Sequence, residues 1–352
     1  VFIDVFYIMN IAEGSPWRKH LFEEYQSAIS MMGFSGIHMD TYGFPKTAYS
    51  HLDAIPKKIK LENELPTLID ETRENVHGEE EPYLIFNNVG AWPVQRTADR
   101  KQDAVYIEVW PPYDRYASIA QLIRDARTYA KDDKSTILAA YLKPFREGKR
   151  EKALPAAKLL MGSIVSNGAT HLLTGENQTA LTQGYYSDYT KLSDSEAEAI
   201  RRYYDYMIWY ENLFFDPELQ DVTMTHTGWD NYEYQCTSHK VSSYGEAGKI
   251  WMILREKDYR KCIYLLNLCG QSEDYWNEGK EEPNIQKDIK FTVQVDTPVE
   301  KICFSTPDGE NMDAIELSFT ERATKTGKFI DFTVPSLNYW TTIWIDTRKE
   351  TI

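Results

Sequence analysis

Cysteine is scarce in this chain. Only Cys236, Cys262, Cys269 and Cys303 occur among 352 residues, all in the C-terminal third. None belongs to a CxxC pair and no histidines cluster at ligand spacing, which excludes a zinc site of familiar spacing. Spacing leaves both disulfides and free buried thiols open for these four. Positive charge is the second shortage: 39 Lys and Arg face 54 Asp and Glu, a formal net charge of −15. That balance excludes a nucleic-acid partner, which needs clustered Lys and Arg, and disfavours an acidic membrane surface. No apolar run reaches spanning length, so no membrane insertion is expected. No secretory signal begins the chain. It opens at Val1 in a strand-like run, as a piece cut from something longer would.

What is present is ordinary for a folded protein. Hydrophobic residues make up 42% and charged residues 26%, and the length suffices for a large core and two domains. Aromatics reach 13%, with 24 Tyr and 9 Trp, a supply suited to stacking on sugar faces, although most such rings pack in cores.

Strands and helices alternate from the start. The pattern predicts a strand over Val1–Met9, with Asp4 on it as a substrate or structural carboxylate. A helix follows from Pro16 to Met32, with Ser15 as N-cap and Gly33 past its end. Next come a strand over Phe34–Asp40, a Pro-containing loop, a helix around Leu61–Val76 and a strand over Tyr83–Val89. After a short irregular piece come the strand Ala104–Trp110, a helix near Tyr116–Ala130, the strand Thr136–Tyr141 and a helix near Glu151–Ser166. The strand Thr170–Thr174 and a long helix from Ser193 to Phe214 complete the series, with Ser193 and Glu196 spaced as a capping box. Repeated alternation implies parallel strands. Six strands fit a (β/α)8 barrel lacking its first two βα units, with an open six-stranded sheet as the rival.

After Asp216-Pro217 the helical period disappears. Short β-rich runs follow at Lys249–Arg255, Cys262–Leu268, Ile289–Val295, Lys301–Phe304, Ile315–Phe319, Phe329–Val334 and Thr341–Ile345. These predict an antiparallel Greek-key β-sandwich, so the expected domains are 1–217 and 218–352.

Two strands end in carboxylates with no cationic neighbour in sequence. In Gly36–Thr41, Ile37 and Met39 oppose His38 and Asp40; in Val105–Trp110, Val105, Ile107 and Val109 oppose Tyr106, Glu108 and Trp110. Two carboxylates at the C-terminal ends of barrel strands are equipment for glycoside cleavage, one to attack and one to protonate the departing oxygen. Asp40 suits the nucleophile, being short and followed by Thr41 and Tyr42, whose hydrogen bonds would favour its charged form. Glu108 suits the acid/base, because Tyr106 and Trp110 would partly desolvate it and favour its protonated form. Pairing with arginine or capping a helix is the alternative for each alone. Candidate substrate contacts are His38, Tyr42, Asn87, Asn88, Trp92, Tyr106, Trp110, Lys143 and Glu176. For Lys143 and Glu176 a salt bridge is the competing role, and a turn role accounts for one of the two asparagines. No cofactor or metal is required.

The stretch Gly33-Phe34-Ser35-Gly36-Ile37-His38-Met39-Asp40-Thr41-Tyr42-Gly43 resembles the nucleophile motif of glycoside hydrolase family 66, which contains dextranases and cycloisomaltooligosaccharide glucanotransferases. Tyr106-Ile107-Glu108-Val109-Trp110-Pro111-Pro112 resembles that family's acid/base motif. The resemblance continues through Asn87-Asn88-Val89-Gly90-Ala91-Trp92 and Tyr264-Leu265-Leu266-Asn267-Leu268, and so covers most of the chain. It implies a retaining mechanism on α-1,6-glucan, with Asp40 as nucleophile and Glu108 as acid/base. It also implies a bacterial protein acting outside the cytoplasm, as a secreted, cell-surface or periplasmic enzyme. Ile37 stands where the family more often has Trp, and Phe44 where an acidic residue is common. Cyclising members carry a carbohydrate-binding module inserted late in the barrel, and Thr170–Gly175 runs to the closing helix with no room for one. The expectation is therefore an endo-acting dextranase, with a cyclising glucanotransferase or a non-catalytic carbohydrate-binding relative as alternatives. The two carboxyl groups should lie about 5–6 Å apart.

Overall fold

The structure, a computed structural model, describes residues 9–131, 134–184, 190–228 and 231–348. The strand expected over Val1–Met9, with Asp4, lies outside these residues save for Met9 itself. The chain divides into two compact units, Val1–Pro111 with Arg124–Ala139, and Pro112–Ile123 with Ala140–Ile352.

In the first unit, helix α1 (Pro16–Met32) forms where its signals predict. Ser15 Oγ accepts the Arg18 N–H at 3.1 Å, Pro16 sits where a missing N–H costs nothing, and Gly33 ends the helix at φ +71°. Strand β1 (Gly36–Met39) leads into a hairpin of β2 (Thr47–Ser50) and β3 (Lys57–Lys60), where the pattern predicts only a loop. Its strands are four residues each and mostly exposed, so little hydrophobic alternation announces them. Helix α2 (Leu61–Asn75), strand β4 (Tyr83–Val89), the one-turn helix α3 (Val94–Thr97), strand β5 (Ala104–Glu108), helix α4 (Tyr116–Tyr129), whose residues up to Ile123 are assigned to the second unit, and strand β6 (Ser135–Ala139) follow. Strands β1, β4, β5 and β6 pair in that order, all parallel. Helix α2 lays Leu65, Leu68 and Ile69 over Met39, Leu84 and Phe86 on one face of this sheet. Each such side chain contributes about 1.5–3 kcal/mol relative to exposure. The buried Arg18 guanidinium ties α1 to α2 through Glu64 O, Thr67 and Glu71.

The second unit holds helix α5 (Ala153–Ser166), strand β7 (Thr170–His171), and a small antiparallel sheet of β8 (Thr174–Gly175), β9 (Thr179–Ala180) and β10 (Thr190–Lys191). Strand β7 stops three residues short of the expected Thr174. The Tyr204 hydroxyl donates to His171 O at 2.8 Å and accepts from Leu173 N at 3.2 Å, taking groups a ladder would use. Helix α6 (Asp194–Trp209) carries the Ser193/Glu196 capping box with both bonds present. The expected continuous helix breaks before α7 (Glu211–Phe214), at Tyr210. That residue leaves helical geometry with its hydroxyl bound to Met312 O and its ring against Trp344.

The β-rich half contains β11 (Gln220–Asp221), β12 (Tyr234–Cys236), β13 (Val241–Ser242), β14 (Ile250–Lys257), β15 (Arg260–Asn267), β16 (Gln286–Val295), β17 (Val299–Ser305), β18 (Ile315–Glu316), β19 (Phe319–Thr324), β20 (Gly327–Leu337) and β21 (Trp340–Thr347). One sheet runs β11-β14-β15-β21-β17-β18 with β13 on β14; the other runs β12-β16-β20-β19. The run read as one strand over Ile315–Phe319 splits, β18 pairing with β17 in one sheet and β19 with β20 in the other. One pair, β13–β14, is parallel, a correction to the purely antiparallel expectation. Between the sheets lie Ile250, Met252, Leu254, Ile263, Leu265, Phe291, Val293, Ile330, Phe332, Ile343 and Ile345. Trp251, Tyr264 and Trp340 face the other way, and Phe214 rests on both Tyr264 and Trp340. A sheet buried on both faces explains why β14 and β15 read as nearly unbroken apolar runs. Helix α5 reaches this sheet because Gly162 has no side chain: a Cβ there would sit 2.7 Å from Leu266 and 3.0 Å from Trp340. Contacts of this kind group α5 to α7 with the sandwich, so the compact units do not divide at Asp216-Pro217. All four cysteines are free, Cys262 and Cys303 buried.

His171 is buried, its Nε2 2.9 Å from Ala140 O and its Nδ1 without a partner among the described residues. Burial pushes its pKa down to about 4, against 6.5 for a free imidazole. The unfolded chain therefore binds the extra proton first, and stability falls as pH drops from about 6.5 to about 4, by up to about 3 kcal/mol. Denaturant titrations at pH 7 and pH 5 should show a smaller acid loss in His171→Gln than in the parent. Equal losses would contradict this account.

Candidate active site

Register decides which side chains share a face. His38 is level with Ile85 and Met39 with Phe86, so Asp40, one residue on, is level with Asn87; Asn87 is in turn level with Tyr106, and Val89 with Glu108. Residues level on neighbouring strands point the same way, as do residues two apart on one strand. His38, Asp40, Asn87, Tyr106 and Glu108 therefore occupy one face of the parallel sheet, at its C-terminal rim. Met39, Phe86 and Asn88 occupy the other.

One side chain joins the two carboxylates. Asn87 Nδ2 donates to Asp40 Oδ1 at 2.8 Å and to Glu108 Oε2 at 3.3 Å. Only the NH2 end of an amide can face two carboxylates, because both accept. The Asn87 Oδ1 is buried without a partner among the described residues. Since both carboxylate oxygens lie this close to one nitrogen, they are no more than about 6 Å apart. Retaining glycosidases hold their carboxyls about 5–5.5 Å apart and inverting ones about 6.5–9.5 Å. Asp40 Oδ1 also accepts the Thr41 N–H at 2.9 Å, and Thr41 Oγ1 donates to Asn87 O at 3.3 Å. Among the described residues no lysine or arginine forms an ion pair with Asp40 or Glu108. Asp40 is exposed and Glu108 half-buried.

His38 lies over Tyr106, ring centroids 4.6 Å apart, and Tyr106 is buried beneath it. The His38 ring reaches solvent, yet partial desolvation lowers its pKa, against the opposing pull of Asp40 and Glu108. Tyr42 and Trp110 are exposed past the ends of their strands. Trp92 is half-buried against the α2 cluster, and Lys46 Nζ stands 3.6 Å from its ring centroid, so that indole is already engaged on this side. Desolvation lowers the Lys46 ammonium pKa.

Asn88 does not join the site. It is fully buried on the opposite face, its Nδ2 donating to Phe86 O and Tyr106 O and its Oδ1 accepting from Thr97. Adjacent strand residues point to opposite faces, so only one of the two asparagines could enter. In the second unit Lys143 is paired with Glu278, and Glu176 is exposed in the β8–β9 turn. The Thr41 bond to Asp40 is the one expected of it, whereas sequence reasoning missed Lys46 as a support of the rim, since nothing in its residue type marks it. Among the described residues no three His, Cys, Asp or Glu side chains gather as a metal site. No described helix is long and apolar enough to cross a membrane.

A parallel sheet with two carboxylates held together at one rim, and a β-sandwich after it, is an arrangement suited to glycoside cleavage. Residues 2–344 match glycosyl hydrolase family 66, and the chain belongs to that family. Two relatives are cycloisomaltooligosaccharide glucanotransferases of Niallia circulans. One is 28% identical over 193 residues, 54% of this chain and 19% of that protein; the other is 26% identical over 191 residues, 53% and 19%. A Paenibacillus sp. cycloisomaltooligosaccharide glucanotransferase, crystallised with cycloisomaltoheptaose, shares the fold at a TM-score of 0.86 and 16% identity. That match covers 96% of this chain and 66% of that one. The matched stretches thus span about a fifth of the curated relatives.

Removing the Asn88 amide would take one hydrogen bond from each of two buried carbonyls and leave the Thr97 hydroxyl with Pro93 O alone, at 3.4 Å. Asn88→Ala should lower the unfolding free energy by about 1–3 kcal/mol in denaturant titration. A neutral result would contradict the internal role.

Proposed function

We propose that the protein is a retaining glycoside hydrolase acting within α-1,6-glucan chains, with Asp40 as nucleophile and Glu108 as acid/base. The observation that carries this reading is the Asn87 amide shared between the two carboxylates, which keeps the bridged oxygens no more than about 6 Å apart, short of the spacing of inverting enzymes. Among the described residues Asp40 Oδ2 accepts no hydrogen bond and is available to attack the anomeric carbon. As that bond forms, the glycosidic C–O bond breaks and Glu108 delivers its proton to the leaving 6-oxygen. Glu108, now charged, takes a proton from water, whose oxygen displaces Asp40 and restores the starting state. The Asn87 amide keeps the spacing in both steps, and His38 and Tyr106 shape the wall beside it. On the same reading the parallel strands belong to the last six units of a (β/α)8 barrel, and a polymeric substrate places the enzyme outside the cytoplasm.

A second reading differs only in the acceptor: a sugar hydroxyl in place of water gives transfer or cyclisation. The names of the Niallia circulans relatives favour it. Hydrolysis is favoured by the segment between β7 and α6, which holds the short strands β8, β9 and β10 in place of an inserted module.

With dextran as substrate, Asp40→Gly and Glu108→Gln should each abolish turnover, and the first-formed reducing end should be the α anomer by NMR. Asn87→Ala should lower kcat by about 100-fold through misplacement of the two carboxylates. A β product, or near-normal activity in either carboxylate variant, would defeat the assignment; cyclic products would establish transfer.

A further inference from the structure

We propose that Tyr42 and Phe44 form an aromatic platform beside Asp40 on which a sugar unit of the substrate stacks, so that this pair sets affinity for the glucan. The proposal rests on the reading of the site as an α-glucan hydrolase. The two rings are exposed, Tyr42 at 45% and Phe44 at 67%, and they pack on each other edge to face with centroids 5.5 Å apart. Single exposed apolar residues are commonplace; a rigid pair at the lip of a catalytic rim is not.

Rigidity comes from the residues around the pair. Gly43 between them is buried at φ +70°, and a Cβ there would lie 2.9 Å from Val89 Cβ, so only glycine lets the loop press onto the end of β4. That strand carries Asn87. Thr41 Oγ1 bonds Asn87 O, and Lys46 donates to Gly43 O while its ammonium sits on Trp92. The loop is thus stitched to β4 and the turn after it, and the two aromatic side chains project from it. At no more than about 3.5 Å per residue, Phe44 stays within reach of a sugar bound at Asp40 and the next unit of the polymer. An exposed Phe has no polar tip to satisfy with water, whereas the C–H face of a neutral pyranose covers it well. The nearby carboxylates and the net charge of −15 disfavour an anionic occupant.

The experiment compares the parent, Phe44→Ala, Tyr42→Ala and Phe44→Trp by affinity electrophoresis in dextran gels and by dextran kinetics. Phe44→Ala and Tyr42→Ala should weaken retardation, and Phe44→Ala should raise KM about tenfold with kcat within about twofold, the size of one aromatic contact. Phe44→Trp should restore both, and thermal midpoints should match the parent because the rings are exposed. A parent that binds and cleaves dextran while Phe44→Ala keeps its KM and retardation would overturn the platform and leave the hydrolase reading intact. Equal loss in Phe44→Ala and Phe44→Trp would reveal a structural role and also overturn it. A parent neither retarded by dextran nor able to cleave it would defeat the hydrolase reading, and the platform with it.

Discussion

The amide of Asn87, set between Asp40 and Glu108, is the interaction on which the geometry of the rim turns. Two like charges so close repel strongly in a partly buried setting, and without a donor between them they would drift apart or share a proton. An amide offers both its N–H bonds without adding charge of its own. A lysine in its place would pair with the carboxylates and neutralise them; an aspartate would add a third repelling group. The buried Oδ1, unpartnered among the described residues, is the cost of aiming both donors at the rim.

That arrangement depends in turn on a parallel sheet whose two faces do different work. One face is sealed by α2 over Met39, Leu84 and Phe86, and Asn88 closes its own bonds within the same layer. The other face is polar and converges on the rim. Because neighbouring strands are locked in register, a slip of one residue in β4 would bring Asn88 to the carboxylates and bury Asn87. Packing on the sealed face therefore protects the geometry of the open one.

The second unit solves a different problem. Its larger sheet is covered twice, by the second sheet of the sandwich on one side and by α5, α6 and α7 on the other. Gly162 and the aromatic group of Tyr206, Phe214, Tyr264 and Trp340 make that second interface close enough to exclude water. Membership of the family is shared with proteins much longer than the stretch matched here, and the rim is built from this chain's own residues. The rim loop after β1, with its exposed aromatic pair, is where that individuality is concentrated.

Much of the local structure was legible in the residues themselves. Ser15, Pro16 and Gly33 mark helix α1, Ser193 and Glu196 mark the start of α6, and alternation in Gly36–Asp40 and Ala104–Glu108 marks the two carboxylate strands, because each signal acts over a few bonds. The β2–β3 hairpin and the early end of β7 were not legible, since the first has almost no buried face and the second depends on a tyrosine more than thirty residues away. The same limit applied to the site. Residue type and strand parity nominated Asp40, Glu108 and a pair of asparagines as candidates. Choosing Asn87 over Asn88, and bringing it against two carboxylates from different strands, required the register between strands, which hydrogen bonds across the sheet establish and which no single stretch of chain contains.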